Sequence, residues 1–312
     1  MQTITRDQIN SVLPKLDLLT AIEEGFRAYS AGEAVVPPVG ELLLEKGEVH
    51  IKYGYLRGGS YYVIKIASGF YDNPKLGLPS GNGLMLLFSQ DSGELVSILL
   101  DEGYLTDVRT AIAGAIAAKY LAPPNVERIG IVGTGVQARL QLEYLKPVTS
   151  CRGVLVWGRG AEQLAHYQRD MESQGFSVEV TQDSGSVLRT CSLIVTTTPA
   201  TEPLLASPDL QTGTHITAVG SDTPNKQELE PGILEKADIV VADSISQCLV
   251  RGEIHHALDS GHISRDEIIE LGNIIVGKSA RRTAPDQITV ADLTGVAVQD
   301  IQIATAVYEA LD

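Results

Sequence analysis

Residues 129–138 read Ile129-Gly130-Ile131-Val132-Gly133-Thr134-Gly135-Val136-Gln137-Ala138, an apolar strand followed by a glycine-rich turn and the start of a helix. Gly133 permits the tight turn, and Gly135 lets a pyrophosphate approach the backbone and the helix N-terminus behind it. Ala138 is small where helix and strand pack closely. The surrounding pattern predicts a βαβ unit, which favours dinucleotide binding over a purely structural turn. The candidate cofactor contacts are Gly133, Thr134, Gly135, Val136, Gln137 and Ala138.

The ends of the neighbouring strands supply further candidates for cofactor contacts. The second strand is followed by Gly158 and Arg159, where a site for NAD usually carries Asp or Glu. Arg159 could pair with a 2′-phosphate, which favours NADP over NAD, although a solvated arginine without a ligand is the alternative. The ends of two later strands add Thr197, Thr198, Pro199, Val219 and Gly220.

Pro123-Pro124 separates two different patterns in the chain. After it, short apolar strands such as Gly153–Trp157 and Leu193–Thr196 alternate with helices. This pattern predicts a Rossmann-type, doubly wound parallel sheet of the α/β class. Before it, a helical stretch over residues 1–30 precedes alternating strands with hairpin turns, which indicates a second, α+β domain. The last segment begins as a strand and ends as a helix, so the predicted domains are 1–120 with 288–312, and 121–287.

The 312 residues carry 24 Lys and Arg against 39 Asp and Glu, a formal net charge of −15. Such an acidic surface repels phosphate backbones, which argues against a nucleic-acid partner. No apolar run is long enough to cross a bilayer, and the first residues lack the apolar core of a signal peptide. Cys151, Cys191 and Cys248 have neither CxxC nor zinc spacing, so no metal is expected. These features predict a cytoplasmic protein with reduced thiols and no membrane contact.

Several separated motifs resemble the ornithine cyclodeaminase/mu-crystallin family, and the resemblance covers nearly the whole chain. Besides the glycine-rich loop, they are Val63-Ile64-Lys65-Ile66, Leu105-Thr106-Asp107-Val108-Arg109-Thr110-Ala111, Val219-Gly220-Ser221-Asp222-Thr223-Pro224-Asn225-Lys226-Gln227-Glu228-Leu229 and Thr294-Gly295-Val296-Ala297-Val298-Gln299-Asp300. Within the family, segments 70–80 and 101–107 are most similar to proteins of ectoine-utilisation clusters and to their iminosuccinate-reducing relatives.

The family includes cyclodeaminases, imino-acid reductases and alanine dehydrogenases. The resemblance therefore implies a nicotinamide cofactor and a small amino-acid or imino-acid substrate. It also implies a homodimer, in which the first domain and the C-terminal helix build the dimer interface and the substrate pocket, next to a Rossmann domain.

Three residues in these motifs are candidates for handling the substrate. Lys65 lies among apolar strand residues, where a lysine needs an anion or must snorkel to the surface. Arg109 offers a planar pair of donors that suits a carboxylate or, alternatively, a helix-surface salt bridge. Asp222 follows an apolar strand at a sheet edge where ligands bind, or it caps a loop. The resemblance makes Lys65 and Arg109 carboxylate ligands, and it makes Lys65 and Asp222 candidates for proton transfer.

One departure from the family pattern concerns Gly40. The resemblance places a carboxylate-binding arginine there in cyclodeaminases and in mu-crystallin, whereas this chain has glycine followed by Glu41. Lys52 could supply a replacement cation, or it could be an exposed strand lysine. The remaining substrate-binding candidates are Ser80, Asn82 and Gly295.

The resemblance implies hydride transfer to or from the α-carbon of an imino or amino acid. Because the arginine is missing at Gly40, we rank imine reduction or amino-acid dehydrogenation above the cyclodeamination of ornithine to proline and ammonia. A non-catalytic NADPH-binding protein, a role that mu-crystallin exemplifies, is a third hypothesis. Asp222 argues against it, because mu-crystallin lacks an acidic residue there.

Overall fold

The computed structural model describes residues 1–279 and 281–312, which divide into two compact units. Unit 1 consists of Met1–Arg109 and Val296–Asp312, and unit 2 consists of Thr110–Gly295. The predicted domains, 1–120 with 288–312 and 121–287, differ from these units at both boundaries. The first division falls inside a helix, and residues 289–292 form a strand of the unit 2 sheet.

The described residues contain eleven α-helices, which lie in both units. They are α1 (Arg6–Val12), α2 (Leu18–Ser30), α3 (Tyr104–Leu121), α4 (Val136–Tyr144), α5 (Ala161–Ser173), α6 (Ser184–Thr190), α7 (Pro231–Glu235), α8 (Ile245–Cys248), α9 (Gly252–Asp259), α10 (Leu271–Ile275) and α11 (Ala297–Glu309). None of the described helices is both long enough and apolar enough to cross a lipid bilayer.

The strands form one sheet in each unit. The seven strands of unit 1 are β1 (Gln2–Thr5), β2 (Ala34–Val35), β3 (Gly40–Leu44), β4 (Gly47–Leu56), β5 (Tyr61–Gly69), β6 (Gly81–Ser89) and β7 (Leu95–Leu100). The eight strands of unit 2 are β8 (Ile129–Val132), β9 (Gly153–Trp157), β10 (Ser177–Thr181), β11 (Leu193–Thr196), β12 (His215–Ala218), β13 (Ile239–Ala242), β14 (Ile268–Glu270) and β15 (Thr289–Asp292).

The sheet of unit 1 has the order β1-β7-β6-β5-β4-β2, with β3 paired to β4. Its pairs are antiparallel except for β1 and β7. Helix α11 packs against α2, β4 and β5, and Phe26 and Ile22 of α2 are fully buried. The helical prediction for residues 1–30 is wrong at two places. Residues 2–5 pair with β7, and Asp17 starts a separate helix by accepting a hydrogen bond from the Thr20 amide at 3.2 Å.

The sheet of unit 2 is entirely parallel, with the order β10-β9-β8-β11-β12-β15-β13-β14. Strands β8, β11, β12 and β13 are buried along their whole length, as expected for a parallel sheet with both faces covered. This arrangement confirms the predicted Rossmann-type fold. The expectation that the strand near 288 belongs with the C-terminal helix is wrong, because β15 pairs with β12 and β13.

Candidate active site

Four adjacent strands of unit 2 end at the same edge of its sheet. They are β9, β8, β11 and β12, and the carboxyl ends of parallel strands lie on one side. The order reverses beside β8, because β9 and β10 lie on one side of it and β11 and β12 on the other. Open α/β folds bind ligands at such a switch point. The predicted cofactor residues in 133–138, 158–159, 197–199 and 219–220 all follow these four strands.

The glycine-rich loop between β8 and α4 has room for a ligand beside its backbone. Gly133 has a φ of +118°, and a Cβ there would lie 2.6 Å from the Thr197 hydroxyl oxygen. A Cβ at Gly135 would meet no atom within 4 Å. Gly135 precedes α4 without a side-chain cap, so the first amides of this helix can bind an anion. The loop therefore fits the diphosphate of a dinucleotide.

Arg139 holds the carbonyl side of this loop. Its Nη1 donates hydrogen bonds to the Thr134 and Gly135 carbonyl oxygens at 2.5 and 3.1 Å. The same guanidinium forms an ion pair with Asp170 at 2.7 Å and lies 5.1 Å from the centre of the Tyr167 ring. Because the loop carbonyls are bound from one side, Arg139 fixes their peptide planes.

Gly158 and Arg159 follow β9 in the expected place. A Cβ at Gly158 would lie 2.9 Å from the Thr134 methyl group, so glycine permits close contact with the phosphate loop. Arg159 is exposed, and its carbonyl oxygen accepts a hydrogen bond from the Gln182 side chain at 2.8 Å. This anchored backbone and exposed side chain leave the guanidinium accessible to a ligand.

The loops after β11 and β12 are joined by hydrogen bonds. Thr197 binds back to β8, since its amide and its hydroxyl donate to the Val132 carbonyl oxygen at 2.9 and 3.1 Å. Glu228 accepts hydrogen bonds from the Thr198 amide at 2.6 Å and the Gly220 amide at 2.9 Å. Pro199 is exposed and Val219 is buried. Glu228 therefore fixes two of the candidate cofactor loops.

Glu228 belongs to a set of buried carboxylates that hold backbone amides of unit 2. Glu253 accepts hydrogen bonds from the Glu228 and Leu229 amides at 2.8 and 3.1 Å, and Asp292 accepts one from the Ile254 amide at 2.9 Å. Burial raises the pKa of Glu228 to about 7, although hydrogen bonds from the Thr198 and Gly220 amides oppose the shift. Burial raises the pKa of Glu253 and of Asp292 well above the usual carboxyl range.

Asp222 lies just beyond β12 and is paired with a nearly buried lysine. The Lys226 Nζ is 2.7 Å from the Asp222 Oδ1, and the Arg251 Nη1 donates to the Asp222 carbonyl oxygen at 3.2 Å. The Asp222 side chain is 31% exposed, whereas that of Lys226 is 7% exposed. A ligand can therefore reach the carboxylate while Lys226 holds it in place.

The Gly295 backbone is fixed at both of its polar groups. Its amide donates to Asp243 Oδ2 at 2.6 Å, and its carbonyl oxygen accepts a hydrogen bond from the Gln247 side chain at 3.1 Å. Gly295 has a φ of +79° and is buried. It therefore has a structural role in the turn after β15, and its role in substrate binding stays a prediction.

In unit 1, the two candidate lysines lie opposite each other. Lys52 on β4 pairs in register with Lys65 on β5, so both side chains project from the same face of the sheet. Lys52 is 4% exposed and Lys65 is 2% exposed. The alternative reading of either residue as a surface lysine is therefore wrong.

Arg109 is buried on α3 and contacts α11. Its Nε lies 3.0 Å from the Asp300 Oδ1, and its Nη1 donates to the Gln299 Oε1 at 2.6 Å. The alternative of a salt bridge is met in part, because Arg109 pairs with Asp300, but this pair is buried and does not lie on the helix surface. The Nη1 hydrogen bond and the nearby Asp300 carboxylate orient the guanidinium. The role of Arg109 toward a substrate stays a prediction.

Ser80 and Asn82 lie at the start of β6, away from the buried face. Ser80 is half-buried, and its carbonyl oxygen accepts a hydrogen bond from the Phe70 amide at 2.7 Å. Asn82 is exposed, and its Oδ1 accepts a hydrogen bond from the Gly83 amide at 2.7 Å. The structure shows both residues in local turn contacts, and their role toward a substrate stays a prediction.

Comparison with known proteins agrees with this geometry. The sequence profile described as the ornithine cyclodeaminase/mu-crystallin family matches residues 2–312. The chain belongs to the ornithine cyclodeaminase/mu-crystallin family. This membership confirms the resemblance inferred from the separated motifs.

Three relatives illustrate the range of activities named within this family. An uncharacterised cyclodeaminase of Sinorhizobium fredii is 43% identical, over 99% of this chain and 95% of its own. An iminosuccinate reductase of Paracoccus denitrificans is 30% identical, over 99% of this chain and 96% of its own. The solved structure of an archaeal alanine dehydrogenase dimer with bound NAD superposes with a TM-score of 0.90, at 34% identity over 99% of this chain and 95% of that one. The predicted similarity to iminosuccinate reductases is thus confirmed.

Lys52 does not lie on the face of the sheet from which a side chain at position 40 would project, so it cannot take the place of the family's arginine there. Gly40 on β3 pairs with Ile51, and a Cβ at Gly40 would lie 3.3 Å from the Ile51 Cβ. Side chains alternate along a strand, so Lys52 projects from the opposite face. If Lys52 binds the substrate, it must therefore do so on the face of the sheet from which Lys65 projects, and not on the face of position 40.

Two residues that hold the candidate loops have no role that the sequence alone predicts. Glu228 and Lys226 lie within the motif at 219–229, but their contacts depend on how the chain folds around them. The sequence signal for the buried acidic groups is a carboxylate at the end of an apolar strand, as with Asp292, the last residue of β15. In residues 1–279 and 281–312, no three His, Cys, Asp or Glu side chains form a group that could hold a metal.

Proposed function

We propose that this chain transfers a hydride between NAD(P) and the α-carbon of a small amino or imino acid, as an imine reductase or amino-acid dehydrogenase. The observation that carries the proposal is the phosphate loop, open at Gly135 in front of an uncapped helix N-terminus. Relatives named alanine dehydrogenase and iminosuccinate reductase support the same reaction class. The chain is an NAD(P)-dependent enzyme of this type.

We assign the substrate carboxylate to Lys65 and Arg109. Both are buried cations, and their N–H groups can donate charge-assisted hydrogen bonds to a carboxylate. Asp300 and Gln299 hold one part of the Arg109 guanidinium, and its remaining N–H donors suit a two-pronged contact with a carboxylate. The nicotinamide ring, when bound, accepts or supplies the hydride.

We assign the substrate nitrogen to Asp222 and Lys65. In the oxidative direction, Asp222 accepts a hydrogen bond and a proton from the substrate ammonium group, while Lys226 keeps the carboxylate oriented. In the reductive direction, the imine nitrogen needs a proton before its carbon accepts a hydride, and the Lys65 ammonium group is the donor. Lys65 thus has two roles, in binding and in proton transfer.

Cyclodeamination of ornithine to proline and ammonia is the second candidate, favoured by the 43% identical relative that is named a cyclodeaminase. We rank it lower because position 40 is glycine, where the resemblance expects a carboxylate-binding arginine. A protein that binds NADPH without turning over a substrate is the third candidate.

A cofactor and substrate screen on the purified protein separates these functions. We expect NADH or NADPH absorbance to fall with pyruvate, glyoxylate or oxaloacetate in the presence of ammonium or methylamine. Absence of consumption, together with proline formation from ornithine at catalytic NAD⁺, would establish the cyclodeaminase instead. Cofactor binding without activity in either assay would favour the binding protein.

Arg159 supports a preference for NADP. We expect Arg159→Asp to lower the ratio of kcat/KM for NADPH to kcat/KM for NADH by about tenfold or more. The reason is that the 2′-phosphate of NADPH loses a cationic partner and meets an anion instead. Arg169→Asp removes another exposed arginine, on α5, and serves as the control. An unchanged ratio in Arg159→Asp excludes this residue from cofactor selection.

We infer that two copies of the chain associate through unit 1. Strand β3 is paired only with β4 among the described strands, and Leu42, Leu43 and Leu44 on it are 54%, 66% and 49% exposed. An exposed apolar edge strand is a typical protein-binding surface. The alanine dehydrogenase structure is described as a dimer, which supports a second copy as the partner.

Leu43→Glu tests this surface. A charge placed in an apolar interface is expected to convert the dimer to monomer at micromolar concentration, as measured by light scattering after gel filtration. Val250→Glu changes a similarly exposed apolar residue of unit 2 and is expected to leave the dimer intact. A Leu43→Glu protein that stays dimeric excludes the β3 edge.

We infer a cytoplasmic location from the cysteines. Cys151, Cys191 and Cys248 are free thiols, which suits a reducing compartment. Burial raises the pKa of Cys191 to about 11 and that of Cys248 well above its usual value, so both stay protonated.

A further inference from the structure

Glu228 connects two loops that leave adjacent strands of unit 2. It is fully buried, its Oε1 accepts the hydrogen bond from the Thr198 amide, and its Oε2 accepts that from the Gly220 amide. Thr198 follows β11 and Gly220 follows β12, so one side chain sets the separation of two loops at the carboxyl edge of the sheet.

The two loops are packed as closely as their backbones allow. A Cβ at Gly220 would collide with the Thr198 carbonyl oxygen and would lie 2.5 Å from the Thr198 nitrogen and from Glu228 Oε2. Neither loop can therefore move toward the other, and the carboxylate prevents them from moving apart.

An ionised carboxylate suits these two amides. Each amide needs an acceptor, and an ionised carboxylate presents two acceptor oxygens. A glutamine of the same shape would offer one oxygen and would direct its NH₂ group at the second amide. The position of Glu228 is itself fixed, because Glu253 accepts hydrogen bonds from the Glu228 and Leu229 amides.

Burying a carboxylate without a bound cation is costly, so its presence needs a reason. The neighbouring charged group is Glu253, which in turn lies near Asp292, so Glu228 is surrounded by carboxyl groups. Glu253 and Asp292 each accept hydrogen bonds from backbone amides as well. An apolar core would stabilise the fold at lower cost. What the carboxylate adds is a fixed geometry for loops 197–199 and 219–220.

We propose that Glu228 is a positioning residue, which holds loops 197–199 and 219–220 in place for the nicotinamide half of the cofactor. The proposal rests on the function proposed above, because it requires that these loops contact NAD(P). The adenosine and diphosphate groups bind to the loop at 133–138 and the segment at 158–159 instead. Glu228 therefore affects one half of the ligand and not the other.

Comparing NADH with ADP-ribose, which lacks the nicotinamide, tests the proposal. In Glu228→Gln we expect the dissociation constant for NADH to rise at least tenfold, while that for ADP-ribose changes less than twofold. Glu230→Gln is the matched control, because Glu230 also accepts a backbone hydrogen bond, from the Ser207 amide at 2.6 Å, on the same segment. We expect it to change neither constant. Circular dichroism and thermal melting establish that each variant is folded.

Glu228→Asp is the second variant, in case Glu228→Gln does not fold. It keeps the charge and both acceptor oxygens but is shorter. We therefore expect a folded protein whose NADH affinity is about three- to tenfold weaker than that of wild type, and stronger than that of Glu228→Gln where that variant folds. A folded variant with unchanged NADH affinity overturns the proposal, and so does an equal loss for NADH and ADP-ribose. If the wild-type protein binds neither NADH nor NADPH, the proposed function fails instead.

Discussion

Lys65→Met is expected to lower kcat/KM for the amino-acid or imino-acid substrate by about 10³-fold. Methionine keeps an unbranched apolar stem of four heavy atoms, as long as the lysine stem, but removes the ammonium group. Since Lys65 is assigned both to the carboxylate and to proton transfer, KM should rise and kcat should fall. Steady-state kinetics at saturating NADH or NADPH measure the two parameters separately, and circular dichroism establishes the fold.

Two other lysines show whether the effect belongs to Lys65. Lys52 lies opposite it in the sheet and is also buried, but it is a candidate for substrate binding and not for proton transfer. Lys52→Met should therefore raise KM with a smaller change in kcat. Lys75→Met removes an exposed lysine that pairs with Asp72 and should leave both parameters unchanged. A Lys65→Met enzyme with wild-type kcat and KM would remove Lys65 from the site.

Gly135→Ala is expected to raise the dissociation constant for NADH by about 100-fold while the protein stays folded. The added methyl group meets no atom within 4 Å in the protein, so the loop can accommodate it. It would occupy the space through which a diphosphate approaches the backbone. Stability should fall by no more than about 1 kcal/mol, because glycine is only a moderately good residue before a helix. Fluorescence titration with NADH and thermal melting measure the two effects.

Gly153→Ala is the control for this change. Gly153 begins β9, at the opposite end of the strands, and a Cβ there would be 3.9 Å from its nearest neighbour, the Glu127 carbonyl oxygen. We expect NADH binding to be unchanged in this variant. If Gly135→Ala binds NADH as tightly as wild type, the dinucleotide does not lie against this loop.

Local signals were sufficient to predict the phosphate loop and much of the parallel sheet. The strands Gly153–Trp157 and Leu193–Thr196 have the predicted bounds, because each is a short apolar run between turn residues. The Gly133 turn and the start of α4 are likewise set by residues close in sequence. Such features depend on neighbouring residues and can be recognised without the rest of the chain.

Long-range pairing was not predictable in this way. Nothing near residues 289–292 shows that β15 inserts between β12 and β13, because strand order depends on distant partners. The partner of Arg109 is equally remote, since Gln299 is 190 residues further along the chain. Glu228 was visible in a motif, but its two amide contacts depend on where loops 197–199 and 219–220 end in space.

The division of unit 1 into two sequence segments has a consequence for biosynthesis. Arg109 leaves the ribosome 190 residues before Gln299, so its guanidinium has neither Gln299 nor Asp300 until α11 has been made. Unit 2 is continuous in sequence and is complete before that point. Domains usually fold in the order in which they are translated. Here the unit that begins the chain is the last to be finished, because its Arg109 ion pair needs residues of α11, which are translated after unit 2.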